Sequence, residues 1–391
     1  MLSASGMNFC RLIREIIVPA KKAPAAKTES VVKKKPAAKK KTTVKKKETK
    51  KAPAAEKKST AEKKPVAKKK AVSKKSPANA MGFKPGVPKE KPKGRIYEGP
   101  LNVNAKPKKA DTIFFGVGGV PHSAKPQGHP EAVRRLHELG LGVYEMEFVH
   151  GVRIRPETCE LVKAAQAETG VHVTAHGPYY VNLYSLEEEK VEASRKRVLD
   201  TARALAACGG DGACFHAGFY QKRDPAEVHA FMTKQIGELV DILEKEGCPV
   251  RLDPETTGKG SQFGSLAELC EMGDALQGKN MSITIDFAHI HARTAGAMNT
   301  YDEFAGQLEL MKNKLGKEAL SSMHIHLSGI AYTEKGEAHH LELDDSDMNY
   351  EDLFRALIDF GASGRVVCES PALEYDALIM QKAYRRLAGT K

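Results

Sequence analysis

No CxxC pair occurs in this 391-residue chain, and its seven cysteines (Cys10, Cys159, Cys208, Cys214, Cys248, Cys270 and Cys368) fall at no paired spacing. An odd, scattered set argues against a disulfide framework and for reduced thiols in an intracellular protein. Cys214 and Cys368 lie in strand-like runs, where core packing is the default role. No segment approaches the ~20 apolar residues of a membrane span, so no membrane partner is expected. Aspartate is missing from the first hundred residues, which hold 30 Lys+Arg against seven Glu, about +23. Residues 101–391 carry 32 basic and 42 acidic residues, about −10, so the formal +13 averages a basic tail and an acidic body.

The tail, roughly residues 20–95, repeats Lys/Ala/Pro blocks such as KKKPAAKKK and EKKPVAKKK. Too few apolar side chains are present to offset the entropy of ordering, which predicts a disordered extension over 1–100. Polylysine of this kind neutralises phosphates and releases counterions, giving sequence-independent, salt-sensitive affinity for nucleic acid; a solubilising or targeting role is the alternative. Arg11 and Arg14 among Phe9, Leu12, Ile13, Ile16 and Ile17 have helical spacing, so residues 1–20 are a possible organellar targeting segment. The lysine clusters fit a nuclear signal equally well. Nucleus is the expected compartment, with mitochondrion the alternative.

From Asp111 the pattern becomes regular. Strand-like runs occur at 112–119, 143–149, 171–176, 212–216, 249–255, 281–289, 320–327 and 365–369. Helical periods fill the gaps at 131–139, 157–168, 187–208, 225–246, 265–276, 301–315 and 350–360, with a last one at 373–387. Strands buried on both faces and flanked by amphipathic helices predict a parallel sheet. Eight such units within 101–391 match an α/β fold of the (β/α)8 TIM-barrel type in count and length. A doubly wound open sheet is the alternative, but it has fewer strands and one switch point.

Six of these runs end in a ligand-type residue: VHVTAHGPYY (His176), GACFHAGFY (His216), PVRLDPETTG (Glu255), MSITIDFAHIHA (Asp286, His289), SSMHIHLSGI (His324, His326) and RVVCESPA (Glu369). Any one alone reads as a satisfied core histidine or, for Glu255 and Asp286, a helix cap. Six in succession exceed what a sheet core tolerates unpaired. Barrel strands aim their C-terminal ends at one point, and nitrogen and oxygen ligands there imply a metal, zinc or manganese.

At HGPYYVNL, FHAG, PETTGKGSQFG, IDFAHIHA, HLSG and CES the chain resembles the endonuclease IV family of apurinic/apyrimidinic endonucleases, over roughly 111–385. The resemblance implies a (β/α)8 barrel with a zinc cluster of two or three ions, which cleaves DNA 5′ to an abasic site in base-excision repair. It implies that Glu255 bridges two zincs; as a carboxylate beside the metal-bound water, Glu255 is also the candidate to take the nucleophile's proton. His176 and His216 complete one site, and Asp286, His326 and Glu369 complete the other. His289 serves a third zinc with a histidine from GEAHHLEL. There the family has Asp-x-His; one register places His340 as the ligand and Ala338 where the Asp belongs, with Glu337 as the substitute, and a shifted one uses His339. In MHIHLSG, His324 and His326 share a face, and the His-Leu pattern favours His326.

Tyr179, Tyr180 and Asn182 follow His176 on the loop after the third strand. Adjacent exposed aromatics beside a metal site can wedge into a duplex where a base is missing; the alternative is one tyrosine packed on the rim. Lys125 in GGVPHSAKPQGHP and Lys259 in TGKGSQFG are candidate phosphate contacts, or solvated loop charges. Glu147 and His150 after the second strand are candidate further site residues, with a structural role the favoured reading. The expected partner is double-stranded DNA carrying abasic sites, bound by a monomer. The competing activity is a divalent-metal sugar isomerase or epimerase using the quartet Glu255, Asp286, His326 and Glu369.

Overall fold

A computed structural model of the protein describes residues 112–126 and 128–389. The basic tail and the 1–20 segment lie outside the described residues. Eight parallel strands form the centre: β1 (Ile113–Gly118), β2 (Val143–Glu147), β3 (His172–His176), β4 (Gly212–Phe215), β5 (Arg251–Pro254), β6 (Thr284–Asp286), β7 (Met323–Leu327) and β8 (Gly364–Cys368). Their order is β5-β4-β3-β2-β1-β8-β7-β6, each neighbouring pair in parallel register. Two parallel bridges, Leu252 to Met281 and Glu255 to Thr284, bring β6 back to β5. The result is a nearly closed barrel with helices between the strands, as the eight repeats predict.

The helices are α1 (His129–Glu138), α2 (Pro156–Thr169), α3 (Glu188–Ala207), α4 (Pro225–Lys245), α5 (Leu266–Ala275), α6 (Phe287–Arg293), α7 (Tyr301–Leu315), α8 (Tyr350–Asp359) and α9 (Glu374–Leu387). Their starts are written locally. Asp224 accepts from the N–H groups of Ala226 and Glu227 ahead of α4, with Pro225 at the first helical position. Ser265 and Glu268 form a reciprocal capping box on α5. Each helix lays an apolar stripe on the sheet, as Leu136, Leu239, Leu269 and Leu357 do, all fully buried. Burying one such side chain contributes about 1.5–3 kcal/mol. Gly116 admits β2 to its register, since a Cβ there would lie 1.8 Å from the Val143 carbonyl oxygen.

Two features depart from the expected strand pattern. The run 281–289 is not one strand: it stops at Asp286, and His289 stands in α6, one turn further on. The segment after β7 folds into an antiparallel hairpin, Gly329–Thr333 with Gly336–Leu341, which lies outside the eight strand-like runs. Tyr332 Oη donates to Asp347 Oδ2 at 2.6 Å, and His291 Nε2 of α6 meets Oδ1 of the same carboxylate at 3.1 Å. The hairpin is thereby tied to α6.

Candidate metal centre

Glu255 is the hub of the barrel mouth. It follows β5 directly, and the ladder loosens there because Thr256 Oγ1 accepts from the Asp286 N–H at 2.8 Å in place of a strand carbonyl. The buried Glu255 carboxylate faces four imidazoles. Oε2 lies 3.1 Å from His176 Nε2 and 3.0 Å from His216 Nε2; Oε1 lies 3.1 Å from His289 Nδ1 and 3.2 Å from His326 Nδ1. Glu369, just past β8, approaches His326 Nδ1 at 3.4 Å. Glu255, Asp286, His326 and Glu369 each offer a ligand atom within 4.8 Å of one another.

The sequence Asp-Phe-Ala-His makes one residue do two things. Asp286 Oδ1 caps α6 by accepting from the His289 N–H at 2.7 Å, so the helical turn carries His289 back over the mouth. Its other oxygen, Oδ2, is buried and makes no hydrogen bond, with His289 Nδ1 3.3 Å away.

The hairpin supplies a further cluster. His340 pairs with Ile330, His339 with Ala331 and Glu337 with Tyr332, so Ala338 is an extra residue in a β-bulge. The bulge returns Glu337 to the face of His340 and turns His339 to the other. Glu337 Oε2 then lies 3.7 Å from His289 Nε2, and His289, Glu337 and His340 form one convergent group.

Residues 133–388 match the model of a family described as xylose isomerase-like TIM barrel. The chain belongs to this family. It is 44% identical over 275 residues to an uncharacterised protein of Methanocaldococcus jannaschii, covering 70% of this chain and 98% of that one. It is also 29% identical over 190 residues to a probable endonuclease 4 of Symbiobacterium thermophilum, covering 46% of this chain and 67% of that one. Among solved structures, a D-tagatose 3-epimerase-like protein superposes with TM-score 0.56 at 18% identity, covering 71% of this chain and 98% of that one. Endonuclease IV from Thermus thermophilus superposes with TM-score 0.54 at 19% identity, covering 71% and 99%. The two likenesses show the shared fold.

The donor set of this xylose isomerase-like barrel fits divalent cations. Asp286 Oδ2, buried without a hydrogen bond although His289 Nδ1 lies 3.3 Å away, is an acceptor that a cation would satisfy, and carboxylate oxygens and imidazole nitrogens stand together in each cluster. Burial alone would raise the Glu255 carboxyl, but His216, His326 and His176 hold it well below the usual carboxylate range. Glu369, also resisted by burial, is pulled by His326 to about 2. Burial depresses His326 and His289, yet the surrounding carboxylates, Glu369 and Glu145 for the first and Asp286 and Glu255 for the second, carry both well above the ordinary histidine range. Asp286 goes the other way, raised by burial and by Glu369 and Glu255. The charge pattern is that of a cluster in which protons stand where cations belong.

His324 is not brought to the hub. It lies one layer deeper on β7, 2.9 Å from Glu145 Oε2 and 3.1 Å from Asp253 Oδ2. Sequence reasoning missed Glu145 and Asp253, although carboxylates inside central parallel strands (VYEME, VRLDP) are unusual enough to have marked them. It also missed that the Cys214 thiol donates to Glu255 Oε2 at 3.3 Å. Glu147, read as structural, keeps Oε1 buried and unpartnered, and burial with the nearby Glu145 and Glu369 raises its carboxyl to about 8.

Around the rim, Tyr179 and Tyr180 are 63% and 59% exposed. Tyr179 meets the His176 ring edge-on at 6.1 Å, and Tyr180 stacks on His150 at 6.2 Å. Asn182 is turned inward instead: its Oδ1 accepts from the Tyr184 N–H at 3.3 Å. Lys125 is exposed and its Nζ lies 3.2 Å from His122 Nδ1. Lys259 sits in a loop that Arg293 pins, donating to the carbonyls of Thr257 and Gln262 at 3.4 and 3.0 Å and to that of Lys259 itself at 2.5 Å.

Proposed function

We propose that this barrel is a zinc-dependent endonuclease that hydrolyses the DNA phosphodiester 5′ to an abasic site. The observation that carries the reading is the division of labour on Glu255, with His176 and His216 on one oxygen and His289 and His326 on the other. A sugar isomerase needs only the quartet Glu255, Asp286, His326 and Glu369. The extra imidazoles and the Glu337–His340 pair add nitrogen-rich positions that suit zinc. The relative named as a probable endonuclease 4 supports the same reading.

His176, His216 and Glu255 would hold one ion, Glu255, Asp286, His326 and Glu369 a second, and His289, Glu337 and His340 a third. Bound there, zinc neutralises phosphate charge and generates hydroxide near neutral pH. The protein's part is to hold Glu255 ionised between four imidazoles and to keep Asp286 Oδ2 free while Oδ1 caps α6. Tyr179 and Tyr180 wedge into the duplex at the missing base. The body works as a monomer, in the nucleus, and the lysine-rich tail docks it on DNA without sequence preference.

The second reading, a manganese-dependent sugar isomerase or epimerase, is favoured by the completeness of the quartet. One pair of assays separates the two. Zinc-loaded full chain should nick a duplex containing a tetrahydrofuran abasic analogue, and Glu255→Gln should abolish nicking. No nicking by the wild type with zinc present sinks the nuclease, and turnover of ketohexoses with manganese installs the alternative. For the tail, deletion of residues 1–95 should weaken DNA binding and flatten its salt dependence; an unchanged slope removes the docking role.

A further inference from the structure

A histidine ligand is held at one ring nitrogen so that the other presents its lone pair to the metal. Three candidate ligands use backbone carbonyls for this. His176 Nδ1 lies 2.7 Å from Gly177 O, His289 Nδ1 3.0 Å from Thr256 O, and His340 Nδ1 3.1 Å from Glu369 O. His326 meets no such carbonyl among the described residues. It sits inside β7, where β6 and β8 on either side engage the strand backbone. Its Nε2 lies instead 2.9 Å from Glu145 Oε1, out of hydrogen-bond alignment and with no other hydrogen-bond partner for either buried atom, while Nδ1 faces Glu255 and Glu369.

Glu145 is itself gripped. Thr174 Oγ1 donates to its Oε2 at 2.8 Å, and His324 Nε2 lies 2.9 Å from the same oxygen. His324 Nδ1 is 3.1 Å from Asp253 Oδ2, and Arg251 donates to both Asp253 oxygens, at 2.6 and 2.8 Å. Glu145, Asp253, His324 and His326 are all fully buried. Such a network costs several kcal/mol of desolvation per ion, and apolar residues of equal volume fill a barrel interior at least as well. Orientation of a ligand is what the apolar core would lack.

We propose that Glu145 is a positioning residue for the metal ligand His326. It takes the Nε2–H and leaves Nδ1 to the metal, and His324, Asp253 and Arg251 hold Glu145 in place from below. A carboxylate in the role that carbonyls fill elsewhere also raises the basicity of the ligand it holds. The inference rests on the metal-binding part of the proposed function and holds for nuclease and isomerase alike.

The test uses the full chain loaded with zinc or with cobalt. Competition against a chelator should show one zinc bound roughly 10–100-fold more weakly in Glu145→Gln, with a changed cobalt d–d absorption band. Thr174→Val, which removes one hydrogen bond to Glu145 and nothing else polar, should show a smaller loss of the same kind and serves where Glu145→Gln does not fold. In the wild type, 15N resonances of labelled histidine should report His326 as the Nε2–H tautomer. An Nδ1–H tautomer overturns the proposal, as do wild-type chelator midpoints and cobalt spectra in both variants. A wild-type chain that takes up no metal overturns the proposed function as well, which separates the two failures.

Discussion

Glu337 and His340 share one face of the hairpin's second strand although they are three positions apart, because Ala338 is bulged out of the ladder. In a regular strand this spacing would place them on opposite faces. With His289 they form a cluster apart from the Glu255 quartet. Glu337→Gln should therefore lower the zinc-to-protein ratio by one while leaving the remaining ions bound. Deleting Ala338 makes the strand regular with Glu337 and His340 two positions apart, still on one face, and should keep the ion. Elemental analysis after exhaustive dialysis reads both; an unchanged ratio in Glu337→Gln removes Glu337 from the ligand set.

Asp286 divides its two oxygens between a helix cap and the cluster, so two substitutions separate the functions. Asparagine caps a helix about as well as aspartate, and alanine costs ~1 kcal/mol at such a position. Asp286→Asn should keep the stability of the metal-free protein and lose zinc affinity. Asp286→Ala should lose both. Thermal unfolding in EDTA, set beside chelator titration, checks the pair. Equal losses of metal-free stability would mean that the cap is not what the carboxylate contributes.

The barrel was legible because eight apolar runs, each followed by a period-3.6 stretch, leave little freedom once the strands must be parallel and buried. The convergence of His176, His216, Glu255, Asp286 and Glu369 was legible for a related reason: the fold delivers strand ends to one mouth. What escaped was whatever depends on a local break in period. His289 reads as a strand residue until Asp286 is recognised as a cap. Glu337 reads as misplaced until the bulge at Ala338 is seen. His324 and His326 are equivalent by alternation and both meet Glu145; their other partners tell them apart, Asp253 for His324 and Glu255 with Glu369 for His326. Asn182 looked like a third surface contact, but its carbonyl is used to hold the Tyr184 backbone.

Without metal, the cluster should make stability depend on pH in a definite direction. His289 and His326 are raised well above their ordinary range despite burial, and Glu147 is raised by burial to about 8. Groups raised on folding contribute stability that is complete below their unfolded values, ~4.5 for Glu and ~6.5 for His. That contribution is lost as pH rises through the folded values. Glu255 and Glu369 are lowered, the latter to about 2, so their contribution is present above the carboxylate range and is lost as pH falls toward those values. The EDTA-treated protein should accordingly be most stable in mildly acidic solution and lose melting temperature on the alkaline side. Zinc should restore more stability the higher the pH, because binding displaces those protons. A metal-free melting temperature that climbs steadily from pH 6 to 9 would contradict the assignment.

Tyr179 and Tyr180 offer the most direct view of the substrate. Both are largely exposed, so truncation removes little packing, and folded stability should change by no more than ~0.5 kcal/mol. Stacking of an aromatic on a base contributes ~1–3 kcal/mol, which corresponds to roughly 5–150-fold in affinity. Tyr180, whose ring leans on His150 away from the hub, should act on binding alone. Tyr180→Ala is expected to raise the dissociation constant for abasic duplex, leave that for intact duplex nearly unchanged, and spare kcat. Tyr179 also touches the His176 ring, so Tyr179→Ala should lower kcat in addition. Fluorescence anisotropy on the two duplexes, with single-turnover nicking, resolves these effects. Equal weakening on both duplexes would assign the tyrosines to general DNA affinity and leave lesion recognition to another part of the rim.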